Sequence, residues 1–220
     1  MVGVLLDLDG TVLDTLDDLT DAVNHALEQF GYPVRTCEEV RRFVGNGAAR
    51  LMRLAVPQGQ PAEPVLEEFQ RYYRAHCRVK TAPYAGIPEA LAALHVPLAI
   101  VSNKPDAAVK ALCAQFFPGI YAQGEQAGCP RKPAPDMVYA AIKKLGIDAC
   151  VYVGDSEVDV QTAANAGVPC ISVLWGFRQE AEIRAAGGDH FCRTPADLPD
   201  MVKSLLKSLE DKEKGINYGK

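Results

Sequence analysis

The chain has 220 residues, a formal charge of −5 and a sequence pI near 5.4, with 48% hydrophobic and 23% charged residues. These values fit one α/β domain, or a core carrying a smaller insert, with ample apolar material for a packed interior. They supply no basic face for a nucleic acid, and no segment approaches the roughly 20 apolar residues of a membrane span.

The N-terminal apolar run meets Asp7 too early for a secretory signal and lacks a basic start. Seven cysteines, an odd number with no CxxC pair, argue for reduced thiols and a cytoplasmic protein without a zinc site. Cys150 and Cys170 lie in apolar runs and read as small buried hydrophobes.

Residues 2–8 form a short apolar run before Gly10 and predict a buried strand. Residues 15–30 place Leu19, Val23, Ala26, Leu27 and Phe30 on one helical stripe. Asp17 and Asp18 favour the positive end of that helix, and Gly31 suits its stop. Helical patterns follow at 37–43, 47–55 and 64–77, the last with Leu66, Phe69, Tyr72 and Tyr73 at helical spacing.

After residue 82 the rhythm changes. A helix at 88–94 precedes a strand at 97–101, then helices at 106–116 and 136–145. A strand at 150–153 runs into Gly154-Asp155 and a helix reaching Asn165. A strand at 169–173, a helix at 179–186 and a final helix at 195–209 complete the series.

This alternation predicts a doubly wound parallel sheet, a Rossmann-like core with helices on both faces. The all-helical stretch interrupts it. Residues 1–14 and 82–212 are therefore expected to form the core, 15–81 an inserted helical subdomain, and 213–220 a flexible tail. In the lysine-rich end of the chain, Glu210, Asp211 and Glu213 offset the positive charge.

Three polar clusters fall directly after predicted strands: residues 7–11, residues 102–104, and residues 154–159. In an open parallel sheet, ligands bind beyond the carboxyl ends of the strands, so all three should converge on one edge. Asp7 and Asp9, two apart on extended chain, point to the same side. Leaving both ionised requires a cation or a proton; a hard divalent metal fits, with Asp155 a further oxygen ligand. Magnesium suits so sparse a ligand set.

A phosphate would find donors in the Ser102 hydroxyl, in the backbone amides that follow it, and in those at residues 9–11. Lys132, before Pro133, offers a positive charge. Read alone, Ser102 is an ordinary helix cap and Lys132 an ordinary surface lysine; alignment with the acidic clusters favours function.

Four motifs stand in order: Asp7-Leu8-Asp9-Gly10-Thr11, Ser102-Asn103, Lys132-Pro133, and Gly154-Asp155-Ser156-Glu157-Val158-Asp159. On these the chain resembles the haloacid dehalogenase-like superfamily, and within it the phosphoglycolate phosphatase-like hydrolases. The resemblance implies that Asp7 is a nucleophile forming an aspartyl-phosphate and Asp9 the general acid, then base. It implies Mg2+ held by Asp7, the backbone carbonyl of Asp9, and Asp155, with support from Asp159. Gly10, Thr11, Ser102, Asn103 and Lys132 would position the phosphate.

The resemblance also makes the helical insert a cap that closes over the site and excludes water. Within it, residues 43–47 followed by Arg50 look like the glycine-containing cap loop of that subgroup. Asn46 and Gly47 would approach the substrate, and Arg50 would meet a carboxylate, the alternative being a helix boundary with a surface arginine. Residues 175–178 also resemble a segment of the subgroup, with loop packing an equal reading.

The expected partner is a small phosphorylated metabolite, with 2-phosphoglycolate favoured by resemblance, acting on a monomer or homodimer. A phosphosugar mutase or a pyrophosphatase on the same scaffold are the alternatives. His25, His76, His95 and His190 fall in no motif.

Overall fold

The computed structural model describes residues 1–217. Strand β1 (Val2–Leu6) is almost entirely buried, as its unbroken apolar run requires of a strand covered on both faces. Beyond the short strands β2 (Leu13–Asp14) and β3 (Ala82–Pro83), the sheet continues with β4 (Leu98–Pro105), β5 (Tyr121–Glu125), β6 (Ala149–Gly154), β7 (Cys170–Val173) and β8 (His190–Cys192). The six long-range partners run in the order β5-β4-β1-β6-β7-β8, and every pairing is parallel.

The chain fills one side of β1 and then the other, so the order reverses beside β1, where a crevice forms at the carboxyl edge. Alternate residues of the strands feed two cores. Leu6, Ile100 and Val153 face one, with Leu112, Leu198 and Val202; Leu5, Val101 and Tyr152 face the other, with Met137 and Ile183.

Four helices occupy the insert: α1 (Leu16–Gln29), α2 (Cys37–Phe43), α3 (Ala48–Ala55) and α4 (Glu63–His76). The stripe on α1 packs against α4, and Thr36 starts α2 in a reciprocal capping box with Glu39. At the root of the insert β2 and β3 pair antiparallel. Asp18 is fully involved there: its buried carboxylate accepts from the amides of Val79 (3.1 Å), Lys80 (3.0 Å) and Thr81 (2.9 Å). Sequence alone reads Asp18 as a helix-end charge, because its partners lie some sixty residues away.

The remaining helices are α5 (Ile87–Ala92), α6 (Asp106–Phe116), α7 (Asp136–Leu145), α8 (Glu157–Ala166), α9 (Glu180–Ala185) and α10 (Leu198–Asn217). Strands β5 and β8 are absent from the sequence reading. Both lie at sheet edges and carry a weak apolar signal, β5 through the buried Gln123 and Gly124 and β8 through its three-residue length and half-buried His190.

The last helix starts at Leu198, after a 3-10 turn (Pro195–Asp197), and passes the expected end at 209 to enter the expected tail. Residues 218–220 of that tail lie outside the described residues. All seven cysteines are free, with Cys150 and Cys170 buried as expected. Among the described residues no helix is long and apolar enough to cross a membrane.

Candidate active site

The parallel register brings three strand ends together. The Asp7 amide donates to the Val153 carbonyl at 2.9 Å, extending the β1–β6 ladder by one bond and setting Asp7 beside Asp155. On the other flank, the β4–β5 register shifts between Val101 and Pro105, where Ser102, Asn103 and Lys104 lie. Such irregularities re-aim side chains at the rim of a sheet.

One carboxylate oxygen each from Asp7, Asp155 and Asp159 lies within 4.8 Å of the others. Lys132 Nζ stands between two of them, 2.9 Å from Asp7 Oδ1 and 2.8 Å from Asp159 Oδ1, and donates to Tyr152 Oη at 3.0 Å. Asp159 is completely buried; its Oδ2 accepts from the amides of Asp155 (3.2 Å) and Ser156 (3.1 Å) and from Ser156 Oγ (2.7 Å). It thereby fixes both Lys132 and the turn that carries Asp155.

Asp155 accepts from Thr11 Oγ1 at 3.1 Å and from the Phe177 amide at 2.7 Å. Gly10, at φ +81°, and Gly176 crowd it from two sides, and a Cβ on either would collide with its carboxylate. Glycine at position 10 thus has a steric reason apart from phosphate contact.

Burial chiefly pushes the Asp7 carboxyl up to about 7; Lys132 opposes the shift, while Asp159 and Asp9 add to it. Burial, then Asp159 and Asp7, hold Asp155 well above the usual carboxylate range. Lys132 stays firmly charged: burial disfavours its cation, but Asp159 and Asp7 outweigh that. A buried, all-oxygen acidic cluster with one lysine for compensation suits a hard divalent cation.

Asp9 departs from the expected arrangement. Its side chain does not join that cluster; it accepts from Lys104 Nζ at 2.7 Å and 3.0 Å and from Thr15 Oγ1 at 2.6 Å. The Asp9 carboxylate is therefore paired with a buried ammonium, which leaves its backbone carbonyl as the atom that the resemblance offers to a metal. Lys104, only 3% exposed in its side chain, escapes the sequence reading as a site residue. The available signal was a lysine placed directly after Ser102-Asn103 at the end of an apolar strand.

Ser102 lines the cavity and accepts from the Lys104 amide at 3.2 Å. Gly10 and Thr11 do not line it, and the Thr11 hydroxyl faces Asp155. The Asn103 amide group donates to the carbonyls of Gly45 (3.1 Å) and Lys132 (2.9 Å), tying the insert to the core.

Two neighbouring carbonyls of the same insert loop are gripped as well. Arg178 Nη2 donates to Val44 O at 2.6 Å, and Arg131 Nη1 to Asn46 O at 3.2 Å. Arg178 also donates to Arg41 O and is fixed by Glu157, while Arg41 returns a bond to Gly176 O. Trp175 Nε1 donates to Thr11 O at 2.9 Å. Residues 175–178 are thus the surface on which α2 and its loop dock.

Beneath that loop is a cavity of about 50 Å³, lined from the core by Asp7, Asp9, Ser102, Lys104 and Asp155, and from the insert by Gly47, Leu51 and Tyr73, among others. Gly47, at φ +81°, lines it; Asn46 does not, its carbonyl being held by Arg131. Arg50 is exposed and is not among the lining residues. Ala48 and Leu51, one helical turn apart on α3, turn inward, which directs Arg50 outward.

A parallel α/β sheet with an acidic carboxyl edge beneath a helical insert defines the class. Residues 4–173 match the family model for haloacid dehalogenase-like hydrolases, and the chain belongs to that family. It is 32% identical over 229 residues to phosphoglycolate phosphatase of Pseudomonas savastanoi pv. phaseolicola, covering 97% of this chain and 81% of the relative. The enzyme of that name from Cereibacter sphaeroides is 32% identical, over 94% of this chain and all of its own. The crystal structure of a phosphoglycolate phosphatase candidate from Lactobacillus delbrueckii subsp. bulgaricus aligns with a TM-score of 0.86 at 37% identity, covering 91% of this chain and 97% of that one.

Proposed function

We propose that this protein is a magnesium-dependent phosphatase that hydrolyses a small phosphomonoester, 2-phosphoglycolate, through an aspartyl-phosphate on Asp7. The carrying observation is the position of Asp7: beside Lys132 and the Asp155–Asp159 pair, two residues before Asp9, and lining the same cavity as Asp9 and Ser102. The relatives' names supply the substrate class.

In the first displacement an Asp7 oxygen bonds to phosphorus while the bond to the leaving oxygen breaks; Asp9, ion-paired with Lys104 in the substrate-free chain, first takes up a proton from solvent as substrate binds and then gives it to that oxygen. In the second, Asp9 takes a proton from water as the water oxygen attacks phosphorus and releases Asp7. Splitting the hydrolysis this way replaces one difficult step by two easier ones. Lys132 offsets charge on the transferring group and keeps Asp7 oriented, and Ser102 supplies a hydroxyl to it. Asp7 and Asp155, with the Asp9 carbonyl, would hold Mg2+, backed by Asp159; the ion would contribute charge neutralisation at the phosphoryl oxygens. Residues 15–81 would act as the cap on the core 1–14 and 82–212, shutting bulk water out during the first step.

Phosphate release from a panel containing 2-phosphoglycolate, hexose phosphates and pyrophosphate, with and without Mg2+, tests the proposal, with Asp7→Asn as the blank. Activity retained by that variant removes the nucleophile; isomerised sugar without free phosphate favours the mutase.

A further inference from the structure

Two buried lysines serve the site: Lys104 lines the cavity, and Lys132 lies behind Asp7, outside the lining. Lys132 stands with Asp7 and Asp159, at the phosphoryl side. Lys104 stands with Asp9, where the leaving group departs, and its Nζ lies 4.7 Å from the centre of the Tyr73 ring. Tyr73 comes from α4 and is 4% exposed; its ring stacks on Phe69 at 5.4 Å, which holds it in place. Its hydroxyl is buried without a hydrogen-bond partner. Lys104 is near enough for its charge and a weak donor contact to be felt there, but no group meets the hydroxyl in full hydrogen-bond geometry.

A buried phenol without a partner is unusual and calls for an explanation, of which an absent ligand is one. Burial pushes its ionisation above the ordinary phenol range, so it is available as a donor. Lys104 directs bonds to both oxygens of Asp9, and its remaining N–H faces the Tyr73 side chain with only a weak contact to hold it. The rest of this end is apolar, with Leu19, Leu51 and Phe69 in the lining.

We infer that Tyr73 and Lys104 form a subsite for a carboxylate on the leaving-group side of the substrate. The inference rests on the phosphatase reading and supplies the anchor that Arg50, exposed on α3, does not. A carboxylate there accepts from the hydroxyl and from the third ammonium N–H, in charge-assisted bonds against a largely apolar wall. A neutral end group of the same size forfeits the charge and pairs less completely, so the subsite selects acids over alcohols.

The test compares 2-phosphoglycolate with ethylene glycol monophosphate, which carries CH2OH in place of the carboxylate. Wild type should prefer the acid. Tyr73→Phe should lower the acid-to-alcohol ratio of kcat/KM about tenfold, mainly through KM for the acid. An unchanged ratio in a folded variant that still releases phosphate overturns the subsite and leaves the phosphatase reading standing. If wild type with Mg2+ releases phosphate from neither compound, the phosphatase reading falls and the subsite with it. Product inhibition of wild type needs no variant: glycolate should inhibit more strongly than ethylene glycol, and equal inhibition overturns the subsite.

Discussion

Lys132→Met keeps much of the side-chain bulk but withdraws a charge from between two carboxylates. Lys132 Nζ lies 2.9 Å from Asp7 and 2.8 Å from Asp159, and the three side chains are 2%, 12% and 0% exposed. Removing one member of a buried ion pair costs about 3–5 kcal/mol, because the remaining charge is stranded. In a chain of this size each kcal/mol lowers Tm by about 2–4 °C, so the expected fall is about 6–20 °C near pH 8 without divalent metal.

The pH dependence has a definite sign. An acid whose folded-state pKa lies above its unfolded value destabilises the fold as pH rises, and that cost fades on acidification. Asp7 is already raised to about 7 with Lys132 present, and losing the lysine raises it further. The deficit of the variant should therefore shrink between about pH 8 and about pH 5. Differential scanning calorimetry on both proteins at the two pH values measures it. A Tm within about 2 °C of wild type near pH 8, or a deficit that grows on acidification, would refute the reasoning.

Magnesium should raise the Tm of wild type more near pH 8 than near pH 5, since Asp7, held up to about 7 by burial, must shed its proton before binding a cation. Equal shifts at the two pH values would contradict this. Arg178→Lys should raise KM about tenfold and speed amide exchange at residues 44–47, because a single ammonium cannot span Glu157 and the carbonyls of Arg41 and Val44; unaltered exchange would speak against a docking role. Arg50→Ala should leave kcat/KM within about twofold of wild type, as expected for an exposed side chain. A tenfold loss would restore Arg50 as a substrate contact.

The parts of the site that sequence makes legible are those fixed by a strand end. Asp7 and Asp155 each follow a buried apolar run, so strand pairing alone predicts that they meet. Asp9 illustrates the limit. Its place on the chain was plain, but its partner Lys104 comes from another strand, and no spacing in the sequence shows that a buried ammonium holds the carboxylate. The inserted helices were readable from their apolar stripes, whereas their docking was not. Arg178, Asn103 and Arg131 bind backbone carbonyls of residues 44–46, and a carbonyl carries no mark in the sequence. Tyr73 fell on the apolar face of α4 with Phe69, where periodicity identifies a buried ring but not its unpartnered hydroxyl.

Rapid acid quench with labelled 2-phosphoglycolate and Mg2+, followed by peptide mapping, observes the covalent step itself. The expected result is label on the peptide that contains Asp7, formed and lost within one turnover and absent from Asp7→Asn. Steady release of phosphate with no labelled protein at any quench time, or label that persists in Asp7→Asn, would contradict it.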